Sequence, residues 1–150
     1  MIYYKLTLLH FSYRNEKGIG KALEELFKEG KVRREDLFIT TKVWSNHHTE
    51  ELALQSVRRS LENLKLDYVD LVLVHWPQTF QSGGDYIPKS DNGTILGGDL
   101  SKENFELAYK GLEKAVQLNL TRSIGVSNFK VNQLEKLIKA DRIKPGMIID

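Results

Sequence analysis

The stretch Tyr68-Val-Asp-Leu-Val-Leu-Val-His-Trp-Pro77 decides how the rest of the chain reads. From Val69 to Val74 it is almost wholly apolar, and Val69, Val72 and Val74 supply β-branching. A run so short and so continuous reads as a strand buried on both faces, as in a parallel sheet covered by helices. It is far too short to span a bilayer. His75 and Pro77 follow at once, so the strand ends on a group capable of chemistry.

Upstream, Leu54, Val57, Leu61 and Leu64 form one helical face, with Thr49 as N-cap and Glu50 and Glu51 in the first turn. Before that helix, Asp36 to Lys42 reads as a strand, with Leu37, Phe38, Ile39 and Val43 supplying the β-type bulk. Earlier still, Ile19, Ala22, Leu23, Leu26 and Phe27 recur at helical spacing, and Gly30 is a plausible stop. Downstream, Gln78 to Leu100 contains Gly83-Gly84 and Gly97-Gly98 and reads as a long loop, a kind that is usually functional or disordered. A third helix carries Phe105, Ala108, Leu112 and Ala115 on one face. Ser123 to Ser127 is a further strand, Leu134, Leu137 and Ile138 mark a fourth helix, and Met147 to Ile149 is a last apolar fragment after Pro145. Repeated βα units of this kind mean a parallel sheet with right-handed crossovers. The pattern alone leaves two architectures open: an open doubly wound sheet, or part of a (β/α)₈ barrel. Gly18 and Gly20 are spaced like the start of a dinucleotide-binding turn, but they sit inside a helical pattern with no strand before them.

Composition narrows the function classes. The chain has 150 residues, 41% hydrophobic and 28% charged, which reads as one globular domain over 1–150. A formal net charge of +2 gives no basic stripe for nucleic acid or an anionic membrane. With no cysteine, disulfides, thiolate metal sites and cysteine nucleophiles are excluded. Met1 to Phe11 lacks a basic start, and Lys5 and His10 interrupt it, so a signal peptide is not expected and a cytoplasmic protein is.

In a parallel βα array, ligands bind at the C-terminal ends of the strands. The polar residues at those ends are Lys42, His75 and the pair Ser127-Asn128, and Tyr13 lies just before the first helix. Successive sites fall about one βα unit, roughly thirty residues, apart. Tyr, Lys and His make a workable acid for carbonyl reduction. A carbonyl that accepts hydride on carbon needs a proton on oxygen, and a tyrosine can supply it if a lysine cation lowers its pKa. A histidine can orient the carbonyl by hydrogen bonding. Ser and Asn side chains can hold a carboxamide such as that of nicotinamide. Taken singly, each residue has a plainer reading: packing for Tyr13, a snorkelling charge for Lys42, a satisfied structural histidine for His75, core for Trp44 and Trp76. The adjacency of Lys42 to Trp44, and of His75 to Trp76, favours the chemical reading.

Phe38-Ile-Thr-Thr-Lys-Val-Trp44, Leu66 to Pro77 and Ser123-Ile-Gly-Val-Ser-Asn-Phe129 resemble three signature blocks of the aldo-keto reductases, and Tyr13-Arg-Asn-Glu-Lys17 resembles the block around that family's catalytic tyrosine. Their order and spacing match from Phe11 to about Pro145. The resemblance implies a (β/α)₈ TIM barrel, here incomplete and covering about its middle half, with NADPH as cofactor and aldehydes or ketones as small-molecule substrates. It further implies catalytic roles for Tyr13, Lys42 and His75, substrate contacts from Trp44 and Trp76, cofactor contacts from Ser127 and Asn128, and a substrate loop over Gln78 to Leu100. The family has an aspartate five positions before its tyrosine, paired with the lysine; this chain has Leu8 there. Nor does Met1 to Leu9 resemble the expected second strand. A closed barrel takes about 250 residues, so open sheet edges and weak activity are expected of the chain alone. A non-catalytic half-barrel that acts by interaction, or a gene fragment, is the alternative.

Overall fold

Strand β3, Val69–Val74, is buried at every position. It pairs in parallel with β2, Leu37–Val43, on one side and with β4, Thr121–Ser127, on the other. Parallel strands β1, Tyr4–Leu6, and β5, Met147–Ile149, extend the sheet in the order β1-β2-β3-β4-β5. Helices α1 (Glu16–Lys28), α2 (Glu50–Leu64), α3 (Phe105–Gln117) and α4 (Val131–Lys139) alternate with the strands. The computed structural model describes residues 4–6, 15–82, 85–97, 104–139 and 143–149. Among the described residues no helix is long and apolar enough to cross a membrane.

The strand order decides between the two architectures. A doubly wound sheet reverses its order at a switch point and needs helices on both faces. Here the order runs without reversal, and the helices share one core with one face of the strands. Leu37, Ile39 and Val43 of β2, Val72 and Val74 of β3, and Ile124 and Val126 of β4 belong to that core, with Leu23, Val57, Leu64, Phe105, Ala108 and Leu112 from the helices. The sheet is therefore part of a (β/α)₈ barrel.

Period-two alternation sends the remaining strand residues to the inner face. The register aligns Lys42 with Leu73, Leu73 with Gly125 and Gly125 with Met147. A Cβ on Gly125 would stand 2.2 Å from the Met147 carbonyl oxygen and 2.9 Å from Leu73 Cδ2, so this row closes only around a glycine. Leu71 and Leu73 are buried although they lie outside the helix-side core. On the outer face, α1 rests on α2 through Gly20, where a Cβ would meet the Asn63 carbonyl oxygen at 2.2 Å. The buried Glu16 ties the same helix down: its carboxylate accepts from Thr41 Oγ1 (3.1 Å) and from Asn63 Nδ2 (3.1 Å).

Details depart from the sequence reading in three places. Strand β1 forms within the stretch that did not look like a strand, with Tyr4 opposite Leu37 and Leu6 opposite Ile39. The segment before β2 is a short 3₁₀ turn, Arg34–Asp36, closed by the Arg33–Asp36 pair, so the strand starts at Leu37. Ile138, grouped above with Leu134 and Leu137, is 49% exposed, because α4 buries Gln133 and Leu137 and one further residue turns about 100° away.

At the N-terminal ends of the strands Asp70 is 3% exposed, and its carboxylate gathers three chain segments. It accepts from Arg34 (2.7 Å), from Arg122 (3.2 Å) and from the Ile39 backbone N–H (2.9 Å). The two guanidinium groups lie over the Tyr68 ring, 4.0 and 4.3 Å from its centroid. Removing the carboxylate leaves Arg34, whose side chain is 16% exposed, without its counter-ion. Arg122 is 60% exposed and solvates readily. Asp70→Ala is therefore expected to cost about 3–5 kcal/mol in urea denaturation, whereas Arg122→Ala costs about 1 kcal/mol or less. Equal losses would show that burial of the carboxylate is not what matters.

Candidate active site

The next register row lies at the C-terminal rim of the sheet. Since Val43 pairs with Val74 and Val74 with Val126, extending the ladder by one step sets Trp44 beside His75 and His75 beside Ser127, and Ser127 pairs with Ile149. The His75 backbone N–H donates to the Val43 carbonyl (3.0 Å), which carries the ladder past the end of β3. The Trp44 and His75 rings sit 5.0 Å apart between centroids. Lys42, Trp44, His75 and Ser127 thus fall in two successive inner-face rows, and Asn128 follows Ser127 at the end of β4. Tyr13 lies outside the described residues, as does Leu8.

Burial sets the electrostatics. Lys42 is half-buried, and that burial lowers its pKa. His75 is pushed down to about 4, first by burial and then by the charge of Lys42. At neutral pH the imidazole is uncharged, a form able to donate and accept hydrogen bonds.

Asn128 adopts a left-handed backbone, φ 61°, which asparagine tolerates better than most residues. Its Nδ2 donates to the His75 carbonyl (2.8 Å) and to Ser127 Oγ (3.0 Å), and its N–H donates to the Ile149 carbonyl (2.8 Å). The ends of β3, β4 and β5 are thereby stapled. These bonds leave the Ser127 hydroxyl hydrogen and Asn128 Oδ1 as one donor and one acceptor, the complement of a primary carboxamide.

The loop after β3 folds over Trp44. Trp44 Nε1 donates to the Tyr86 carbonyl (2.8 Å), and the two rings stack at 4.2 Å with 13° between planes. Phe80 meets Trp44 edge-on at 6.0 Å, and its N–H donates to the Ser45 carbonyl (3.0 Å). Trp76 lies 5.9 Å from His75 but is 37% exposed, at the outer edge of this group of rings. Sequence reasoning missed Tyr86; its only signal is an aromatic between the two glycine pairs of the long loop. It also missed His48, whose Nδ1 lies 3.0 Å from Thr79 Oγ1 and which anchors the same loop.

His48 is 1% exposed, and burial, then the neighbouring His47, pushes its pKa down to about 3. An unfolded histidine binds its proton below about 6.5. Between that value and about 3 the unfolded chain takes up a proton that the folded chain refuses, so stability is lost as pH falls through this window. From pH 7 to pH 5 the expected loss from His48 is about 2 kcal/mol. Thermal unfolding over that range should show a shallower decline in His48→Gln; parallel curves would remove His48 as the cause.

A family model described as "Aldo/keto reductase family" matches residues 3–148. Human aldo-keto reductase family 1 member C1 is 42% identical over 135 residues, covering 90% of this chain and 40% of the relative. Prostaglandin F synthase 1 of Bos taurus is 38% identical over the same shares. The aldose reductase structure from Schistosoma japonicum superposes with a TM-score of 0.85 at 37% identity, over 94% of this chain and 46% of that one. The chain spans about two fifths of the length of the curated relatives it matches.

Proposed function

The chain belongs to the aldo/keto reductase family, and from that membership we propose that its strand-end cleft serves NADPH-dependent reduction of a small aldehyde or ketone, in the cytoplasm. The observation that carries this reading is the meeting of Lys42, Trp44, His75, Ser127 and Asn128 at one rim. The donor and acceptor left on Ser127 and Asn128 fit the carboxamide of a nicotinamide ring, and the fit concerns that end of the cofactor alone.

NADPH, when bound, supplies hydride to the carbonyl carbon. Tyr13 gives the proton to the carbonyl oxygen and Lys42 stabilises the phenolate left behind. His75, neutral at working pH, donates a ring N–H to the same oxygen and sets its direction. Ser127 and Asn128 would hold the carboxamide and so fix the orientation of the nicotinamide end. Trp44, held in place by Tyr86, forms one wall of the substrate pocket, and Trp76 forms the outer lip.

Leu8 stands where the family has its lysine-pairing aspartate, so turnover by the 150-residue chain is expected to be slow. Loss of NADPH absorbance with nitrobenzaldehyde measures it. Tyr13→Phe and Lys42→Met should abolish the residual rate, and Leu8→Asp should raise it by about tenfold or more. Turnover indifferent to Tyr13 and Lys42 would overturn the reading.

A further inference from the structure

We propose that Lys42 forms a reversible imine with small aldehydes in the strand-end cleft, an activity separate from hydride transfer. The surroundings of Lys42 differ from those of the chain's ion-paired lysines. Its row partner Leu73 is 0% exposed, and the next position is the side-chain-free Gly125. Carboxylates that might have compensated the ammonium are committed elsewhere. Glu16 binds Thr41 and Asn63 on the helix side of β2, the face opposite Lys42. Asp70 is held by Arg34 and Arg122 at the other end of the strands. Among the described residues no acid pairs with Lys42. By contrast, Lys28 and Lys65 share Glu24, and Lys139 meets Glu135.

A half-buried ammonium with no acid beside it among the described residues gives up its proton more easily than an exposed one, and the depressed pKa of Lys42, caused by burial, agrees. The free amine is the nucleophile. Its lone pair forms the new C–N bond with the aldehyde carbon. The carbonyl oxygen leaves as water with the two amine hydrogens, and a C=N bond remains. No electrons are gained or lost, and hydrolysis reverses the step. Trp44, one row nearer the rim, offers an aromatic wall to an aromatic aldehyde.

The test uses the full chain with benzaldehyde and sodium cyanoborohydride, without nucleotide, followed by peptide mapping. The hydride reagent reduces the C=N bond and fixes a benzyl group on the lysine that formed it. Lys42 is expected to be labelled about threefold or more faster than Lys28 and Lys139. In Lys42→Arg the total label should fall to the exposed-lysine background, with circular dichroism confirming that the variant is folded. Labelling of Lys42 no faster than Lys28 and Lys139 overturns the proposal, and this comparison within the unsubstituted chain does not depend on the variant folding. Because no NADPH is present, failure here leaves the reductase reading standing, and failure of that reading leaves the imine untouched.

Discussion

Asp70 is the point on which the register of the sheet turns. One buried carboxylate takes hydrogen bonds from a residue before β2, from the backbone of β2 and from β4, and it sits on β3 itself. A parallel ladder slipped by one residue would send every side chain to the wrong face. By fixing the N-terminal ends, this cluster also fixes which residues share a row at the far ends. The meeting of Lys42 with Leu73, and of Trp44 with His75, is set by a charge cluster at the opposite end of the strands.

The two ends divide their tasks. At the bottom, cations and an anion are brought together and satisfied. At the rim, Lys42 and His75 are partly buried, and burial, joined for His75 by the charge of Lys42, lowers both pKa values. A cleft of this kind holds its nitrogen bases closer to neutrality than water would.

Much of this was legible in the sequence because β3 is buried on both faces and its run is hydrophobic at every position except Asp70. The helix faces through Phe105, Ala108, Leu112 and Ala115, and through Val57, Leu61 and Leu64, were equally plain, since period 3.6 leaves a direct trace. The rim residues were found because they follow such runs. Strand β1 escaped notice because Tyr4–Leu6 is three residues long and gains its identity from pairing with β2, a long-range contact no local pattern encodes. Tyr86, His48 and Glu16 were missed for the same reason: each takes its role from partners about 25 to 47 positions away.

The chain has two tryptophans, and the fold places them in opposite settings. Trp44 is 9% exposed, stacked on Tyr86 and hydrogen-bonded to the same residue's carbonyl, whereas Trp76 stands at the lip of the cleft. Their emission therefore separates by wavelength, blue for the packed indole and red for the wet one. Lifting the loop away from the sheet would wet the first indole and leave the second unchanged. The stacking that shapes one wall of the cleft is thus also an internal optical gauge of loop position, readable without any label.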